Sequence, residues 1–124
     1  MMKKINTDKA AKAIGPYSQG IITGSLLFTS GQIAIDPVSG TIPESIDAQA
    51  HRSIQNLKAI ADAAGTDLSK TVKTTCYLTD MNDFAKFNEI YQTYFTEKPA
   101  RSCVAVKTLP RGVLVEIEAI IEIF

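Results

Sequence analysis

The chain has no tryptophan, one histidine and two cysteines, and its charges cancel at 13 Lys plus Arg against 13 Asp plus Glu. Each shortage removes a class of chemistry. The single histidine, His51, leaves no His/Cys/Asp cluster with the spacing of a zinc or iron site. It also leaves no histidine base for a nucleophile such as Cys103, and beside Arg52 it reads as a solvated surface group. Cys76 and Cys103 fall in separate apolar segments and read as reduced thiols, not as a disulfide framework. With zero net charge there is no global field to draw the chain to nucleic acid or to an anionic membrane, so a polyanion would need a local patch. No run approaches the roughly 18 apolar residues of a spanning helix, and Lys3 and Lys4 are followed by no apolar stretch; a cytoplasmic protein without membrane contact is expected. No phosphate-cradling loop is present either: Gly15-Pro16 and Gly20 do not make GxGxxG, and no helix follows Gly31-Gln32. What remains is arginine, carboxylates, hydroxyls and backbone amides, an inventory suited to holding a small anion and moving a proton or a water.

What is present is ordered. No repeat or linker divides the 124 residues, so residues 1–124 are expected to form a single domain. GIITGSLLFTSGQIAI, Gly20 to Ile35, is rich in β-branched and aromatic residues, and Gly24-Ser25 between two apolar runs predicts a hairpin. Gly31 interrupts the second run, which signals a bulge or close approach of another group to the backbone. Ile46, Ala50, Ile54, Leu57, Ala61 and Ala64 recur at helical spacing, with Ser45 as N-cap and Gly65 just past the end. VKTTCYL, from Val72, alternates as a strand. Helical spacing returns through Phe84, Phe87, Tyr91, Tyr94 and Phe95, with Asp80 or Asn82 as the cap.

SCVAV and LVEIEAIIEIF close the chain as strands around the turn-like LPRG. In the last strand Val115, Ile117, Ala119, Ile121 and Ile123 share one face, and Leu114, Glu116, Glu118, Ile120 and Glu122 share the other. If the last two strands pair, Cys103 and Ala105 lie near that second, half-apolar face, a candidate for burial against another subunit. The order of elements predicts an α+β domain, a mixed sheet with two helices packed on one face, in a homo-oligomer.

Read together, IGPYSQGI from Ile14, FTSGQIAIDPVSG from Phe28, VKTTCYLTDMNDFAKFNEIYQTYF from Val72, PARSCVAV from Pro99 and VEIEAI from Val115 closely resemble the YjgF/RidA family of reactive-intermediate imine deaminases, in register over nearly the whole chain. The resemblance implies a chorismate-mutase-like domain, a homotrimer with a cleft between each pair of neighbours, and no metal or organic cofactor. The implied reaction is hydrolysis of 2-imino acids such as 2-iminobutanoate and 2-iminopropanoate to 2-oxo acids and ammonia.

The resemblance also implies roles for individual residues. Arg101 holds the substrate carboxylate, which its planar fork can grip with two charge-assisted hydrogen bonds; the bland alternative is an ion pair with Glu116 or Glu118 across strands. Glu116 orients or deprotonates the attacking water. Glu118 has the same facing, and only the family match chooses between them. Tyr17 covers the substrate or donates from its hydroxyl, unless it is a core aromatic. Ser30 and Gly31 line the same cleft, where glycine lets a ligand approach the backbone. The main chain of Cys103 and the side chain of Asn88 complete the set. One departure stands out: only TEK separates the second helix from Pro99, where many family members have several more residues. Two other readings compete. One is an endoribonuclease or translation inhibitor, for which Lys73, Lys107 and Arg111 would have to form a patch. The other is a non-catalytic trimer that binds 2-oxo acids.

Overall fold

The computed structural model describes residues 1–123; Phe124, the end of the predicted last strand, lies outside them. Six strands, β1 (Lys3–Ile5), β2 (Gly20–Thr23), β3 (Leu26–Thr29), β4 (Thr71–Leu78), β5 (Ala100–Ala105) and β6 (Val115–Glu122), form one sheet in the order β1-β2-β3-β6-β4-β5. Only β4 and β5 run parallel. The helices α1 (Ile46–Ala63) and α2 (Phe84–Tyr94) cover one face. The mixed sheet with two helices on one side is therefore the predicted α+β arrangement, with β1 as an unforeseen edge strand.

Local chemistry sets the ends of these elements. The Ser45 hydroxyl accepts from the amide of Ala48 and starts α1, and Gly65, at φ 81°, takes the left-handed step just past its end. Asp80 does cap, but it caps a 3-10 turn over Met81–Asp83 by accepting from Asn82; α2 itself follows without a side-chain cap. Alternation in β6 works as expected: Val115, Ile117, Ala119 and Ile121 are buried while Glu116, Glu118 and Ile120 are only half-covered. The buried set meets Ile54, Leu57 and Ile60 of α1 and Phe87 of α2, all fully enclosed. Each such side chain contributes about 1.5–3 kcal/mol through removal from water.

One expectation fails. The last two strands do not pair, because β4 lies between them. Parallel pairing of β5 on β4 sets Arg101 beside Thr74 and Cys103 beside Cys76, and Thr74 and Cys76 point into the helix-covered core. Residues opposite one another share a face, so Arg101, Cys103 and Ala105 belong to the helix side, not to the face of Glu116.

Three buried amides tie the irregular segments to this frame. Asn56, fully enclosed in α1, donates to the carbonyls of Ile33 (3.1 Å) and Ile35 (3.0 Å) and accepts from Arg52 Nε. Gln49 donates to Pro43 and accepts from the amide of Leu114. Gln19 accepts from the amide of Thr7 and donates to the carbonyls of Thr7 and Ala11. Losing Asn56 takes the side-chain donor from the Ile35 carbonyl and one of two donors from Ile33, whose carbonyl also accepts from the Ile35 amide, and an unsatisfied buried acceptor costs about 1–3 kcal/mol. Urea unfolding should therefore show Asn56→Ala clearly destabilised, whereas Lys58→Ala, which removes only the exposed 3.2 Å pair with Asp62, should change stability by less than about 1 kcal/mol.

Candidate functional site

On the open face of the sheet, Tyr17, Ser30, Gly31, Glu116 and Glu118 border a shallow cleft of about 520 Å³, flanked by Ile14 and Pro110. The chain reaches this place by leaving the β3 ladder after Thr29 and crossing to β6, where Gln32 and Ile117 exchange backbone hydrogen bonds of 2.8 and 3.2 Å. That crossing lays Gly31 against the Glu116 side chain. A Cβ at position 31 would overlap the carboxylate, lying 2.7 Å from its Cδ and 2.9 Å from its Cγ. Gly31 is thus the close approach that the interrupted strand signalled, and the group approaching is Glu116.

Ser30 borders the cleft and also fastens it to the neighbouring segment. Its hydroxyl donates to the carbonyl of Ser18 (2.6 Å) and its amide to Gln19 (2.9 Å), so its proton is spent on holding the segment that carries Tyr17. Tyr17 itself is 51% exposed at the cleft mouth and is no core aromatic. The Glu116 carboxyl is held above its ordinary 4.5, first by burial and then by the neighbouring charge of Glu118. Tyr77, opposite Glu116 in the β4–β6 ladder, is likewise raised by burial and then by Glu118 and Glu116.

Arg101 lies on the other face. Its guanidinium sits 4.8 Å from the ring centroid of Tyr91 and 5.5 Å from that of Phe84, and Nη1 donates to Asn88 Oδ1 at 2.7 Å. Tyr91 is held in turn by a 2.7 Å hydrogen bond between its hydroxyl and that of Thr74 and by stacking on Phe95 at 4.5 Å. Among the described residues no carboxylate is within ion-pair distance of Arg101, so the cross-strand pair with Glu116 or Glu118 does not exist. The guanidinium borders a second cleft, of about 360 Å³, with Asn88, Tyr91, Gln92, Lys98 and Pro99. Lys98, at φ 53°, turns the short TEK connection sharply into Pro99.

The anticipated residues therefore fall into two groups. Tyr17, Ser30, Gly31 and Glu116 come together on the open face. Arg101, Asn88 and Cys103 come together beside α2, with the sheet between the groups. Sequence reading missed the aromatic cradle of Arg101, although Phe84, Asn88 and Tyr91 recur at spacings of four and three and could have been read as one helix stripe facing a cation.

A helix-backed sheet with one cleft built on a carboxylate and another on an unpaired arginine defines an α+β protein whose sites suit small molecules. A family model described as Endoribonuclease L-PSP matches residues 7–123, and the chain belongs to that family, the one also known as YjgF/RidA. The 2-iminobutanoate/2-iminopropanoate deaminase of Salmonella typhimurium is 51% identical over 124 residues, covering 97% of each chain. The RutC family protein y4sK of Sinorhizobium fredii is 55% identical, covering 99% of each. The crystal structure of E. coli TdcF with bound serine superposes with a TM-score of 0.94, at 48% identity over 97% of this chain and 98% of that one.

Two measurements test the open-face cleft. The native Glu116 carboxyl keeps its proton to higher pH than the unfolded chain does, so its stabilising contribution is complete below 4.5 and is lost as pH rises through the elevated native value. Wild type should lose stability relative to Glu116→Gln across that window in urea titrations. Gly31→Ala should push the carboxylate into solvent, and carbon-13 NMR should then find Glu116 titrating close to 4.5.

Proposed function

We propose that this chain is a 2-imino acid deaminase that hydrolyses 2-iminobutanoate and 2-iminopropanoate to the 2-oxo acids and ammonia, working as a homotrimer with its sites between subunits. Membership of the family and the names of its relatives support the reaction. The observation that carries the assembly is the placement of Arg101 and Glu116 on opposite faces of one sheet. A cyclic arrangement in which the β5 edge of one copy meets the open face of the next unites the two groups. Phe28, Val104, Tyr77 and Ile120 give that face enough apolar surface to associate, with Phe28 and Val104 exposed at 39% and 46%. The two unpaired thiols suit the reducing cytoplasm in which the protein is expected to work.

In this reading Arg101 grips the substrate carboxylate in a fork that Asn88, Tyr91 and Phe84 already hold in place, which limits the freedom lost on binding. Glu116, seated over Gly31, positions a water against the imine carbon and takes its proton. Returning that proton to nitrogen completes the carbinolamine; its hydroxyl proton, passed to nitrogen through the same carboxylate, then lets ammonia leave as the C–N bond breaks and the carbonyl of the 2-oxo acid forms. The elevated carboxyl pKa makes Glu116 a better proton carrier than an exposed glutamate. Tyr17 closes the mouth, and the main chain at Cys103 supplies a further hydrogen-bond partner.

The test generates 2-iminopropanoate with an amino-acid oxidase and traps survivors with semicarbazide. Wild type should suppress trapping. Arg101→Ala gives up charge-assisted hydrogen bonds worth about 1.5–3 kcal/mol each and should lose at least about tenfold in kcat/KM. Glu116→Gln should lose about 10²–10⁴ in kcat. Unfolding the two variants together and refolding the mixture should restore part of the activity, because some interfaces then pair an intact Arg101 with an intact Glu116. No recovery from a mixture that forms trimers would reject the shared site. Binding of 2-oxobutanoate without turnover would identify a sensor, and salt-sensitive RNA cleavage abolished by the same substitutions would identify a nuclease.

A further inference from the structure

The two cysteines, remote in sequence, are neighbours in the fold. Cys76 of β4 and Cys103 of β5 are directly paired in the parallel ladder and share the helix-covered face. Adjacent strands lie about 4.7–4.9 Å apart, within the roughly 4.4–6.8 Å separation of α-carbons that a disulfide spans. Both thiols are free; Cys76 is enclosed and Cys103 half-buried. Arg101 stands two residues before Cys103 on the same side of β5. We infer that Cys103 is a site of modification by hydroperoxides, and that Cys76 resolves the product into a reversible disulfide joining β4 to β5.

The surroundings divide the labour between the two sulfurs. Cys103 is lowered to about 7, first by a hydrogen bond from the Cys76 thiol and further by the Arg101 charge, against an opposing effect of burial. The shift favours the thiolate, the form that reacts. Cys76 is pushed upward, first because its proton serves that bond and then by burial, so it stays a protonated thiol. The Cys103 thiolate attacks one oxygen of the peroxide; a sulfur–oxygen bond forms as the oxygen–oxygen bond breaks, and the departing hydroxide takes a proton to become water. Cys103 is then a neutral sulfenic acid. The Cys76 sulfur attacks it, the sulfur–sulfur bond forms, the sulfur–oxygen bond breaks, and the oxygen leaves as water with the Cys76 proton. The peroxide is reduced to two waters and the two thiols are oxidised to a disulfide.

Cys103 does this as a side chain, separately from the main-chain part proposed for it in imine hydrolysis. The test treats the folded protein with hydrogen peroxide, blocks remaining thiols after denaturation, and maps the peptides by mass. Wild type should lose both thiols together within one subunit, with a mass lower by a pair of hydrogens, and dithiothreitol should restore them. Cys76→Ser should stop at a Cys103 sulfenic acid that dimedone captures, and Cys103→Ser should keep Cys76 reduced. Because Cys76 is enclosed, Cys76→Val serves as a second variant with circular dichroism as the check on folding, and the wild-type map decides if neither folds. Survival of both thiols under peroxide that consumes free cysteine would overturn the inference. So would a bridge between different subunits, or sulfenic acid accumulating equally in wild type and the folded Cys76 variant.

Discussion

A β-strand sends successive side chains to opposite faces of its sheet, and that alternation governs where every polar group of this molecule can work. In β6 it drives Val115, Ile117, Ala119 and Ile121 under the helices and leaves Glu116 and Glu118 on the open side. Through β4 it passes to β5, placing Arg101 level with buried Thr74. The register that builds the core thereby separates the cation from the carboxylate. Shifting β5 by one residue would bring Arg101 to the face of Glu116, but it would also move Cys103 away from Cys76 and strip Tyr91 of its cation.

Much of this was legible from periodicity because the long elements bury one clean face. The alternation in β4 and β6 agrees with the observed burial, and the spacing in α1 finds Ile46, Ala50, Ile54, Leu57 and Ala61, although the buried face is wider and takes in Gln49, Ser53, Asn56 and Ile60. Strand neighbours were not legible, since nothing local in SCVAV or LVEIEAII states that β4 enters between them. Assigning Cys103 to the wrong face follows directly from that missing pairing. β1 escaped notice because three residues of Lys-Lys-Ile make no pattern of their own; its place depends on backbone pairing with β2. Most residues of the candidate site were identifiable through family resemblance, but their division into two groups required the sheet order.

The buried amides explain how so many irregular residues stay in position. Asn56, Gln49 and Gln19 each satisfy backbone groups from distant loops, and side-chain amides are suited to this because they donate and accept at once. Helical periodicity marks positions 49 and 56 as interruptions of an apolar face. In the folded chain Asn56 holds the path from Gly31 into the turn at Asp36, and Gln49 ties Pro43 to Leu114.

The two borders of the sheet differ in chemistry. β1 presents Lys3 and Lys4, charges of the kind that discourage an incoming strand. β5 presents Ala100, Ser102, Val104 and Ala105, small and uncharged, while its one cation, Arg101, is drawn back against Tyr91. Sheets guarded on one border cannot add border to border without end, whereas a β5 border that meets the open face of a neighbour, as proposed above, makes a head-to-tail contact. Such contacts must either close into a ring or continue without end, so the angle at which one β5 border meets its neighbour is what separates a finite particle from a fibre.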